Sequence, residues 1–154
     1  MTAEEWAAEL LRVIRVDGQG RARSFAEAGY PLPWGVELAL PTGAVVYLQA
    51  VADPSGGARP APGAGVPQAE RVELPAEGPT ELAAVERWLA WCLSASPRIG
   101  AVALFQHRRG RTSIPHGLAA RTATGARLWV YVRHATPAGR SPQGMALWRL
   151  QPTV

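Results

Sequence analysis

Apolar residues recur along this chain at two spacings, three or four apart in some stretches and two apart in others. The first spacing marks helices and the second marks strands. Thr2 and Glu5 form the Thr-x-x-Glu pattern that caps a helix N-terminus. The apolar positions after them predict an amphipathic helix to about Leu11 or Arg15. Asp17-Gly18-Gln19-Gly20 predicts a turn. Val36 to Leu40 alternates, Pro41-Thr42-Gly43 turns, and Val45 to Val51 is rich in β-formers, which predicts a hairpin. From Asp53 to Gln68 the chain is dense in Pro, Gly and Ala and predicts a mobile loop. Arg71 to Leu74 predicts a short strand.

A similar series follows. Pro79-Thr80-Glu81 opens a second helix over 80–95, with Thr80 as its predicted N-cap and Pro97 beyond its end. Leu82, Val85, Leu89, Cys92 and Leu93 form one stripe, with Trp88 and Trp91 beside it, so this helix is expected near the centre of the core. Ile99 to Gln106 predicts a strand. Leu118 to Thr122 and Arg127 to Arg133 predict a second hairpin around Ala123-Thr124-Gly125, and Met145 to Leu150 a last strand. An offset of 82 residues pairs Trp6 with Trp88, Tyr47 with Trp129 and Thr42-Gly43-Ala44 with Thr124-Gly125-Ala126. The expectation is an α+β fold built as a tandem pseudo-repeat. Each half would be one helix and about three antiparallel strands, packed as a single pseudo-symmetric domain over 1–154.

The length of 154 residues suits one domain, and 47% apolar residues can fill its core. No apolar run approaches the roughly 18 residues that span a bilayer, so no membrane is expected among the partners. The acidic, amphipathic start predicts a cytoplasmic protein. The single cysteine, Cys92, reads as a small buried hydrophobe. All 16 basic residues are Arg, and Lys and Asn are absent, which fits a GC-rich, bacterial-like codon usage. Codon usage does not account for where the acids are missing. Residues 1–77 carry six Arg and ten acids, a net −4, whereas 78–154 carry ten Arg against Glu81 and Glu86, a net +8. Past Glu86 there is no acid.

Such a basic half attracts acidic macromolecules, protein or nucleic acid. With a period of two, Arg127, Trp129, Tyr131 and Arg133 share one strand face and Leu128, Val130 and Val132 the other. An Arg-aromatic face suits stacked bases and bound phosphates. The competing expectation, and the favoured one, is that Trp129 and Tyr131 pack under the other helix with the arginines reaching to water. His107-Arg108-Arg109-Gly110-Arg111 predicts an exposed basic turn. Arg108, Arg109, Arg111, Arg127, Trp129, Tyr131, Arg133 and Arg140 are therefore the candidate binding residues.

Enzymatic patterns are lacking. Val132-Arg133-His134-Ala135 resembles the start of a histidine phosphatase, but too little chain follows for the rest of that fold. There is no P-loop and no Gly-x-Ser-x-Gly elbow. His107, His116 and His134 have no Cys or carboxylate neighbours at ligand spacing, so neither a metal nor a cofactor is expected. The expected function is a non-catalytic binding or adaptor protein whose Arg-rich half engages an acidic partner, with nucleic acid as the more specific reading. The alternative is an interaction or chaperone-like module that pairs acidic with basic halves, in which case the protein could be a homo-oligomer.

Overall fold

Thr2 and Glu5 close the capping box read from their spacing. The Thr2 hydroxyl accepts from the Glu5 N–H at 3.2 Å, and the Glu5 carboxylate accepts from the Thr2 N–H at 2.6 Å. Helix α1 then runs over Ala3–Asp17, past the expected end, to Gly18 in the left-handed region at φ 76°. This is a computed structural model, and it describes residues 1–53, 70–105, 115–140 and 153–154.

The sequence reading missed two elements between the first turn and the first hairpin. These are strand β1 (Arg21–Ser24) and a single helical turn, α2 (Phe25–Ala28). Ser24 and Glu27 form a second capping box around α2, a signal that was present in the sequence. The hairpin follows as β2 (Gly35–Ala39) and β3 (Val45–Asp53). Helix α3 covers Leu82–Ser94, and β4 (Ile99–Leu104), β5 (Gly117–Thr122) and β6 (Arg127–Thr136) complete the elements. The fold is α+β, with three helices and one six-stranded antiparallel sheet. Its strand order is β1-β2-β3-β6-β5-β4, so the two hairpin-bearing halves meet where β3 pairs with β6.

Helices α1 and α3 lie side by side on one face of the sheet. That face is aliphatic, with Val36, Leu38, Val46, Leu48, Leu118, Leu128, Val130 and Val132 nearly or fully buried. Trp6 and Trp88 are fully enclosed between the helices and the sheet. Each indole N–H has a partner, as buried indoles require. Trp6 donates to the Trp129 carbonyl at 3.0 Å, and Trp88 to the Asp17 carboxylate at 2.6 Å. Cys92 is buried in the same core, where burial, reinforced by the Asp17 charge, pushes its thiol up to about 12.

Three local expectations are corrected. Arg71–Leu74 is extended but joins no sheet. The Gln19 side chain takes up its backbone instead, donating to the Val72 carbonyl at 2.9 Å and accepting from the Leu74 N–H at 2.7 Å. The N-cap of α3 is Glu81, not Thr80. Thr80 is fully buried, and its backbone pairs in both directions with Val154, so it is held by the chain end rather than by the helix. The strand after α3 stops at Leu104, not Gln106. The loop expected from Asp53 to Gln68 lies outside the described residues beyond Asp53 itself, which belongs to β3; the strand expected at Met145–Leu150 lies outside them altogether.

Candidate functional site

Strand β6 has Val132 and Val130 facing the helices, so Tyr131, Trp129 and Arg127 face the other way. The expectation that Trp129 and Tyr131 pack under a helix is overturned. Helices α1 and α3 are on the opposite side, and the two rings are half-buried on the open face. The sheet register fixes their neighbours there. Trp129 stands between Val51 of β3 and Ala119 of β5, with Ala103 of β4 next in the row. Tyr131 stands between Gln49 and Gly117, and its ring centroid is 5.7 Å from that of Phe105.

One row further along, Arg127 lies between Asp53 of β3 and Arg121 of β5, with Ala101 beyond. Like charges directly opposite on neighbouring strands repel. Ala101, Ala103 and Ala119 carry almost no side chain, so a trough of about 410 Å³ opens there, walled by Arg121, Arg127 and Trp129.

A β-bulge alters the expected alternation at the far end of β6. Tyr47 pairs with His134 and Leu48 with Val132, leaving Arg133 as the extra, exposed residue. His134 takes the place opposite Tyr47, in an aromatic group with Phe25 and Tyr30. Burial, with the Arg133 charge nearby, lowers the His134 pKa, which favours the neutral ring. Arg140 is exposed beyond the strand. Arg108, Arg109 and Arg111 lie outside the described residues.

The acids of the first half are largely engaged by arginines of the same half. Glu9 pairs with Arg12, Glu27 with Arg15, Glu37 with Arg23, and Asp17 and Glu73 with Arg71. Arg98 crosses over from the second half, 3.7 Å from Glu9. Among the described residues, Arg87, Arg121, Arg127, Arg133 and Arg140 form no ion pair.

One pairing of titratable groups escaped the sequence reading. His116 and Glu86 are both buried, with Nδ1 of His116 3.4 Å from Oε1 of Glu86. The same oxygen accepts from the Gly117 N–H at 2.6 Å. Spacing along the chain could not reveal this, because 30 residues separate the two. The pair borders neither the trough nor the apolar groove of about 540 Å³ between α1 and the α2–β2 connection, where Trp34 is 45% exposed at φ 52°. Among the described residues no group of three or more His, Cys, Asp or Glu side chains could hold a metal ion, and no helix is long and apolar enough to cross a membrane.

No protein-family model, no curated protein and no solved structure matches the chain significantly.

Proposed function

We propose that this is a non-catalytic binding module that presents the open face of β5 and β6 to single-stranded nucleic acid. The observation that carries this reading is the placement of Arg121 directly opposite Arg127 on the wall of the trough, beside a half-buried Trp129. Arg121 has Arg127 and Ala101 as its cross-strand neighbours and no acid, so an anionic ligand offsets the like charge there. The alanine-floored trough admits a planar group against the indole, and base–aromatic stacking contributes about 1–3 kcal/mol per base. Arg133 at the bulge and Arg140 beyond the strand are exposed as well. A cytoplasmic site of action fits a chain whose lone cysteine is an unpaired, buried thiol.

Fluorescence anisotropy with single-stranded and duplex oligonucleotides across a salt series tests this reading. Single strands should bind at low salt and weaken linearly in log–log form as salt rises. Arg121→Ala with Arg127→Ala should weaken binding and flatten that slope, and Trp129→Ala should weaken binding with the slope kept. Absence of binding at low salt sinks the nucleic-acid reading. Salt-sensitive capture of an acidic polypeptide in its place would favour the protein-partner alternative.

We also propose that the fold arose by tandem duplication of one helix-plus-three-strand unit. Equivalent turns support it. Leu40 and Gly43 bond to Ala44 and Leu40 as Thr122 and Gly125 bond to Ala126 and Thr122, an offset of 82 each time. The bond from Ala50 to Trp34 and that from Val132 to His116 keep the same offset. A chain joining two copies of 78–154 should then fold cooperatively, as read by circular dichroism and thermal melting. A molten or unfolded product would count against equivalence of the halves.

A further inference from the structure

Three rows of side chains cross the open face of the sheet, each two residues, or about 7 Å, from the next along β6. The first row runs Asp53, Arg127, Arg121, Ala101 from β3 to β4. Asp53 offsets charge beside Arg127, so Arg121 is the positive end of the row, on the wall of the trough. In the second row Trp129 has Ala119 and then Ala103 beside it, and these two methyl groups leave the β5 flank of the indole to the trough. In the third row the same flank of Tyr131 is taken. The buried Phe105 ring abuts Gly117, and its centroid is 5.7 Å from that of Tyr131. Among the described residues, the trough therefore offers one cation row and one ring, not a run of rings for successive bases.

We infer that the trough is a single-nucleotide site, in which one base lies against Trp129 over Ala119 and Ala103 and its phosphate lies one row away at Arg121. The phosphate of a nucleotide is one sugar away from its base, and a row spacing of about 7 Å is a span that a sugar bridges. The volume of about 410 Å³ falls within the roughly 300–1,000 Å³ of small-ligand sites. Arg127, directly across from Arg121, adds a second guanidinium to the same phosphate. Stacking on an indole accepts any base, because every base has a π-face. The assignment rests on the reading of this face as a nucleic-acid surface and narrows it to a ligand of one base and one phosphate. That chemistry is shared by a free mononucleotide and by one residue of a strand.

Competition on the full chain tests this. A labelled single strand is bound at low salt, and AMP, adenosine or ribose 5-phosphate is added at matched ionic strength while anisotropy is read; calorimetry measures AMP alone. AMP should displace the strand at a concentration about 5- to 150-fold below that needed of ribose 5-phosphate, which keeps the phosphate and lacks the base. Trp129→Ala should remove that advantage, and Trp129→Phe, which keeps a ring, should retain part of it. Arg121→Thr should reduce the advantage of AMP over adenosine. Thermal melting of each variant verifies that it is folded. A strand that yields to ribose 5-phosphate as readily as to AMP overturns the assignment, because the ring then seats no base. So does a strand weakened by Trp129→Ala that AMP fails to displace, because its footprint then exceeds one nucleotide; the nucleic-acid reading survives both results. If neither the strand nor AMP binds, that reading falls and the assignment with it. AMP binding without strand binding supports the site and gives it to free nucleotides.

Discussion

Oε1 of Glu86 accepts the Gly117 N–H at 2.6 Å and lies 3.4 Å from Nδ1 of His116, so one buried carboxylate ties α3 to the start of β5. Oε2 of Glu86 and Nδ1 of His116 have no hydrogen-bond partner among the described residues. Glu86→Ala would leave the Gly117 N–H buried and unmatched. The expected loss is about 2–4 kcal/mol from urea denaturation, combining that unmade bond with a small cavity. Glu86→Gln keeps an acceptor of the same shape and should lose less than half as much. Equal losses for the two would show that the hydrogen bond is not what holds the site.

Gly117 adopts φ 150°, and a Cβ there would collide with the Val130 carbonyl. The obstacle is backbone of the paired strand, which cannot move aside without breaking the ladder. Gly117→Ala should therefore destabilise by at least about 1–3 kcal/mol, the range for overpacking. Thermal melting beside a Gly29→Ala control, where no atom lies within 4 Å of the added carbon, separates crowding from backbone strain.

Arg121 and Arg127 make a prediction of opposite sign for stability and for binding. Replacing Arg121 with Thr removes a like-charge contact, leaves Arg127 opposite Asp53, and should leave the free protein equally stable, or more stable by about 0.2–1 kcal/mol. Affinity for single strands should fall. A variant that loses stability and binding together would mean that the arginines serve the fold.

Glu9 governs a pH dependence. Its carboxylate pKa is lowered from 4.5, chiefly by the hydrogen bonds from Arg12 and then by Ser96, against the effect of burial. A folded pKa below the unfolded value contributes stability that is fully present above about pH 4.5 and is lost as pH falls through the lowered folded value. Denaturation from pH 7 down to pH 3 should show that loss, and Glu9→Gln should flatten the curve in the acid range. An unchanged profile would shift the role to the exposed carboxylates Glu5 and Glu27, whose capping bonds also lower their pKa values.

Cys92 should resist thiol reagents in the native state at pH 8, because burial holds its thiol protonated up to about 12. Reaction should follow global unfolding in urea. Rapid labelling without denaturant would mean that α3 opens locally.

Much of the fold was legible because it is encoded locally. Thr2 with Glu5, the stripe on the second helix and the two alternating runs around Thr-Gly-Ala turns each need only a few neighbouring residues to be read. The element at Arg21–Ser24 was missed because four residues carry too little periodicity, though the Ser24–Glu27 box marked the turn beside it. Arg71–Leu74 misled for a different reason. Its extended backbone is satisfied by the Gln19 side chain, 53 and 55 residues away, and no local pattern distinguishes that from a sheet ladder.

By itself the sequence determined which residues share a face on each element and that the positive charge gathers in the second half, because period and composition are properties of the chain. It also placed Arg127, Trp129 and Tyr131 on one strand face. Only the tertiary structure decided that this face points away from both helices, and the reason is geometric: a two-residue period divides a strand into two faces but does not say which one the helices cover. The same holds for Arg121 opposite Arg127, for Glu86 beside His116 and for β4 at the edge. Each depends on the order in which strands pair, and that order is set by how the helices and strands bury their apolar faces together.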